Sequence, residues 1–119
     1  MPVEEQAAMA RSFVEGVVER LGIPASTTAT VSEDEETIDI AVDGEGLGFL
    51  IGPHGSTLAA LQDLTRTVVQ RKTNDRGARI LVDVASYRAK RAVALADFTR
   101  RIAGDVLASG AAAALEPMS

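Results

Sequence analysis

The sequence predicts an α+β domain with element order α-β-β-α-α-β, a three-stranded sheet with helices packed on one face, and an extra C-terminal helix. Three observations carry that prediction. Apolar residues recur at three–four spacing in residues 3–21 and 56–72, but alternate in 37–42 and 79–84. Two glycines, Gly52 and Gly55, bracket a two-residue turn between a short apolar segment and a helix. The acidic run Glu33-Asp34-Glu35-Glu36 separates two short strand-like segments and reads as a hairpin tip.

The first helix is expected to start at Pro2, which suits a first turn, with Glu4 and Glu5 opposing the helix dipole. Ala10, Phe13, Val14, Val17, Val18 and Leu21 form its apolar face, and Gly22 is a fit stop. Gly16 is unfavourable inside a helix, and close packing on the sheet would explain it. Thr27–Ser32 and Thr37–Val42 are the hairpin strands, with Ile38, Ile40 and Val42 on one face. A solvated tip that discourages edge pairing is a better reading of the four acids than a metal site.

Leu47–Ile51 is a short apolar helix, and the glycine turn follows it. The next helix, 56–72, buries Leu58, Leu61, Leu64 or Thr65, Val68 and Val69. Residues 73–77 form a loop, and Ile80, Val82 and Val84 alternate with Arg79, Leu81 and Asp83 in the third strand. The last helix opens near Ser86-Tyr87 and runs to Ser109, with Gly110 as its stop. Its stripe of Leu95, Phe98, Ile102 and Val106 needs cover, from the domain body or from the same helix of a second copy in a homodimer, and without it the helix is expected to fray.

Composition narrows the function. A chain of 119 residues, 46% apolar and 24% charged, falls in the globular range and holds one domain, or one domain with an appendage. With no cysteine and a single histidine, the chain offers no thiolate metal site and no nucleophile–base pair, so neither enzyme chemistry nor a cofactor is expected. No stretch of transmembrane length or secretory leader is present, which predicts a cytoplasmic chain without membrane contact. Only Phe13, Phe49, Phe98 and Tyr87 are aromatic, which argues against binders that stack bases on aromatic platforms. The net charge of −5 hides an asymmetry: residues 1–65 carry twelve acids against Arg11 and Arg20, whereas residues 66–101 carry ten bases against three acids. Local sign governs phosphate attraction, although many of these bases are ordinary solvated helix faces.

The glycine turn is the candidate site. Glycine at both ends permits a sharp turn and close backbone approach, and Ser56 or Gly55 is placed to cap the following helix. Free N–H groups and a positive helix end then face the turn, an arrangement that suits phosphate. Gly52, Pro53, His54, Gly55, Ser56 and Thr57 are therefore candidate contacts, with Ile51 shared between the core and the surface beside the turn, and Arg79 either beside that surface or on open sheet. Gly44-Glu45-Gly46-Leu47-Gly48 suggests a dinucleotide fingerprint only weakly, because no strand–turn–helix unit surrounds it. Ile51-Gly52-x-x-Gly55 between two helical segments resembles the signature of the type II KH fold, whose loop clamps the backbone of single-stranded RNA.

The resemblance extends further. Gly48-Phe49-Leu50-Ile51-Gly52-Pro53-His54-Gly55-Ser56-Thr57-Leu58, Val82-Asp83-Val84-Ala85-Ser86-Tyr87-Arg88 and Leu115-Glu116-Pro117-Met118 resemble the bacterial Jag/KhpB family. That resemblance implies a KH domain at 1–85 and, at 86–119, the start of a second nucleic-acid module (R-3-H), broken off before its Arg-x-x-x-His motif. It also implies a post-transcriptional regulator of low sequence specificity, linked to cell elongation and division, with a small KH-only protein (KhpA-like) as companion. Related loops usually carry Lys or Arg between the glycines. Here Pro53 lacks an N–H and His54 lacks a fixed charge, so weaker RNA binding is expected. The rival reading is a protein-interaction module that kept this scaffold and lost RNA binding.

Overall fold

In the computed structural model, which describes residues 1–73 and 77–115, the elements are α1 (Val3–Arg20), β1 (Ala25–Val31), β2 (Thr37–Gly44), α2 (Gly48–Ile51), a 3-10 turn (Pro53–Gly55), α3 (Ser56–Thr73), β3 (Arg79–Val84) and α4 (Tyr87–Leu115). The described residues up to Tyr87 form one compact unit and those from Arg88 onward another. The order and the α+β class are those the sequence predicts.

Strand alternation builds the sheet as rows. β2 is central, antiparallel to β1 and parallel to β3. Register places Val31, Ile38 and Ile80 in one row, Ala29, Ile40 and Val82 in the next, and Thr27, Val42 and Val84 in the third. All six central- and third-strand members of these rows are buried, and α1 and α3 cover that face. Burying such an aliphatic side chain stabilises by about 1.5–3 kcal/mol. α1 contributes Val3, Ala7, Ala10, Val14 and Val18, and α3 contributes Leu58, Leu61 and Val69.

The acidic hairpin tip is held by its own polar groups. The Ser32 hydroxyl donates to Asp34 Oδ1 at 2.6 Å, and the Glu36 N–H donates to the same oxygen at 3.0 Å. These bonds, the hydroxyl first, hold the Asp34 carboxyl below its ordinary value.

Several local expectations need correction. Pro2 is the residue before α1 rather than in its first turn, and its carbonyl accepts from the Glu5 and Gln6 N–H groups. Leu21 lies half outside the core, whereas Val3, Gln6 and Ala7 are buried. A side chain at Gly16 would meet open space, so close packing does not explain that glycine. On α3 the choice between Leu64 and Thr65 falls to Thr65, whose hydroxyl donates to the Leu61 carbonyl at 2.7 Å and so can be buried; Leu64 stays exposed. β1 begins two residues earlier than expected, at Ala25, and β2 runs on to Gly44. Part of the 73–77 loop lies outside the described residues. α4 does not stop at Gly110; the helix continues to Leu115 through the alanine tract, alanine being the strongest helix former.

Candidate functional site

The glycine turn is built from its two flanks. Leu50, which is buried, anchors α2, and the Gly52 N–H donates to the Gly48 carbonyl at 3.1 Å. Gly52 then adopts φ 73, ψ 176, a region open essentially to glycine alone. A Cβ there would also collide with the Thr57 side chain, which packs into the space glycine leaves. Pro53 begins the 3-10 turn, closed by the Gly55 N–H donating to the Gly52 carbonyl at 3.2 Å. His54 is left-handed (φ 54, ψ 24) and exposed.

Ser56 is not the N-cap that its position suggested. It lies in helical conformation (φ −63, ψ −41), and its N–H donates to the Pro53 carbonyl. The 3-10 turn runs straight into α3 and takes up donors that a side-chain cap would otherwise satisfy. Pro53 has no N–H, that of Gly52 is engaged by the Gly48 carbonyl of α2, and those of Gly55 and Ser56 are engaged within the turn. His54 is therefore the residue left to present the loop's N–H, beside an exposed imidazole.

β3 is an edge strand, so one side of its backbone faces away from the sheet. The Ala85 N–H bonds to Val42, on the β2 side, so the Val82 and Val84 N–H groups point outward. Both are covered: Val82 donates to Gln62 Oε1 at 3.0 Å, and Val84 donates to Asp83 Oδ1 at 3.0 Å. Gln62 thus ties the edge of β3 to the second turn of α3. At the C-terminal end of β3 the chain turns through Ala85 (φ 51) and Ser86 (φ 56), two consecutive left-handed residues that are not glycine. Each costs about 1–2 kcal/mol. The turn delivers Tyr87 to Gly55: a Cβ built on Gly55 would lie 2.8 Å from Tyr87 Cε1 and 3.2 Å from its Oη.

Of the residues singled out by sequence, Gly52, Pro53, His54, Gly55, Ser56 and Thr57 come together, with Ile51 half-buried against the core at their base. Arg79 does not join them. It opens β3, whose end reaches the loop, so five residues of strand, about 17 Å, lie between. Arg79 instead borders a hollow with Gln6, Glu36 and Ala78. Arg66 pairs with Asp63 at 3.0 Å, and Arg71 and Lys72 sit in the last turn of the 18-residue α3, remote from the loop. Phe49 leaves 71% of its surface exposed while Leu50 and Ile51 turn inward. Sequence reasoning missed Gln62 and Tyr87 as parts of this region. Neither carries a local signal, because each acts on a residue far along the chain.

Among the described residues no group of three or more His, Asp or Glu side chains could hold a metal ion, and no helix is long and apolar enough to cross a membrane.

Comparison with known proteins bears on this geometry. Residues 11–84 match the family model described as KhpA/KhpB, KH domain. The chain is 30% identical over 107 residues to the RNA-binding protein KhpB of Clostridium symbiosum, covering 90% of this chain and 48% of that protein. It is 31% identical over 109 residues to the RNA-binding protein KhpB of Bacillus subtilis, covering 92% and 51% respectively. To the RNA-binding protein KhpB of Lactiplantibacillus plantarum it is 33% identical over 109 residues, covering 89% and 32%. The chain therefore spans about half or less of the length of these relatives.

Proposed function

This chain belongs to the KhpA/KhpB KH-domain family, and from that premise we propose that it binds single-stranded RNA through the Gly52–Gly55 loop as a non-catalytic, post-transcriptional regulator. The observation that carries the reading is the donor arrangement at the loop. One left-handed, exposed residue presents its N–H and imidazole at the N-terminal end of α3, where the helix dipole favours an anion. The sugar–phosphate backbone rests there. The bases extend over the side of the domain between the loop and the edge of β3, with Ile51 at its base.

The same geometry supports low sequence specificity as part of this reading. Reading a base needs free donors and acceptors along its edge, and the outward N–H groups of Val82 and Val84 are already taken by Gln62 and Asp83. It also accounts for modest affinity. A hydrogen bond to a charged group contributes about 1.5–3 kcal/mol, and Pro53-His54 supplies no fixed positive charge. The companion we propose is a small KH-only chain of the same family, and residues 88–119 are proposed to begin a second nucleic-acid module.

A fluorescently labelled single strand titrated at several salt concentrations tests the reading. Micromolar or weaker binding is expected, with log affinity falling by about 0.7 for each tenfold rise in salt per phosphate that a Lys or Arg side chain neutralises. Absence of binding even at low salt would favour the rival, a protein-interaction module on a KH scaffold.

A further inference from the structure

We propose that Tyr87 is a positioning residue for the loop: its ring seats Gly55 and thereby fixes the His54 N–H and the entry into α3 for the incoming phosphate. The proposal rests on the reading that RNA backbone binds this loop.

Three observations converge on Tyr87. Its Cε1–Oη edge lies so close to Gly55 that a Cβ there would stand at 2.8 Å and 3.2 Å from those atoms, so ring and loop backbone are in direct contact. Gly55 is itself buried and left-handed (φ 79), and the ring occupies the side on which a Cβ would stand. The chain reaches this contact through Ala85 and Ser86, both left-handed without being glycine, a conformation that persists only where its surroundings over-determine it. The Ala85 N–H donating to Val42 at 2.8 Å fixes one side of that turn, and the packed Tyr87 ring fixes the other. The turn therefore aims one aromatic ring at one glycine, immediately behind the residue that presents the loop's N–H.

The arrangement also fits the chemistry of a loop without lysine or arginine. A basic loop can bind phosphate while sampling many shapes, because a charge acts at a distance. A loop that relies on a directed N–H needs its geometry held, since such a bond weakens steeply when misaligned.

The test compares wild type with Y87F, Y87A and the double variant P53D/H54D, each as the full chain. RNA affinity is read by fluorescence anisotropy, and amide exchange is read at Gly55 and Ser56 against the β2 amides. Y87F keeps the ring and is expected to bind within twofold of wild type. Y87A is expected to bind about tenfold more weakly, with faster exchange at Gly55 and Ser56 and unchanged protection in β2. Should Y87A fail to fold, Y87L preserves apolar cover of the core while removing the ring edge, and the same results are expected. Wild-type affinity and wild-type loop exchange in the alanine or leucine variant would overturn the positioning role. If those variants bind normally while P53D/H54D does not, the loop reading stands and the Tyr87 proposal falls. If P53D/H54D itself binds like wild type, the loop reading falls, and exchange at Gly55 and Ser56 alone decides whether Tyr87 holds the loop.

Discussion

Replacing Pro53 and His54 together by Asp is expected to abolish RNA binding while leaving the melting temperature at or slightly above that of wild type. Both side chains are exposed, and exposed substitutions usually stay within about 0.5 kcal/mol. Position 54 is left-handed, a conformation that Asp tolerates better than most residues. The two new carboxylates sit at the N-terminal end of α3, where the dipole favours negative charge by about 0.3–1 kcal/mol each. The same charges repel a phosphate at that end. Binding and stability therefore move in different directions, and a titration with a melting curve separates them.

Gly52→Ala should affect both together. At φ 73, ψ 176 a residue with a Cβ costs about 1–3 kcal/mol, and the added methyl must also displace the Thr57 side chain. For a domain of this size each kcal/mol lowers the melting temperature by about 4–8 °C, so a fall of roughly 10 °C is expected, along with loss of RNA binding. Gly48→Ala is the internal control. It lies four residues earlier, in α2, where a Cβ meets open space, and alanine is the better helix former by about 1 kcal/mol. Its melting temperature should hold or rise.

These two variants also mark how far the sequence alone could be read. Alternation in 37–42 and 79–84 was sufficient to find the buried face, because period-two burial is imposed by the pleat whatever the partner strands are. The glycine loop was legible for a similar reason: two glycines at fixed spacing constrain the backbone locally. What was not legible depended on partners. Nothing at Thr65 announces that its hydroxyl will be satisfied by Leu61 and buried in place of Leu64. Ser56 has the composition of a cap, but the 3-10 turn before it supplies the closing bond through backbone alone. Arg79 shares a strand with residues that reach the loop, yet strand direction puts it at the opposite end. Tyr87 stands 32 positions from Gly55, and only the fold brings them together.

The central claim is that RNA backbone lies on the Gly52–Gly55 loop. Its most direct test is an amide chemical-shift titration of the isotopically labelled chain with a short single-stranded oligoribonucleotide. The account predicts that His54, Gly55 and Ser56 shift most, that Ile51 and the β3 edge near Val82 follow, and that β1 and the hairpin tip stay still. Saturating binding that leaves the loop amides unmoved while the largest shifts fall on β1, the hairpin tip or α4 would contradict it.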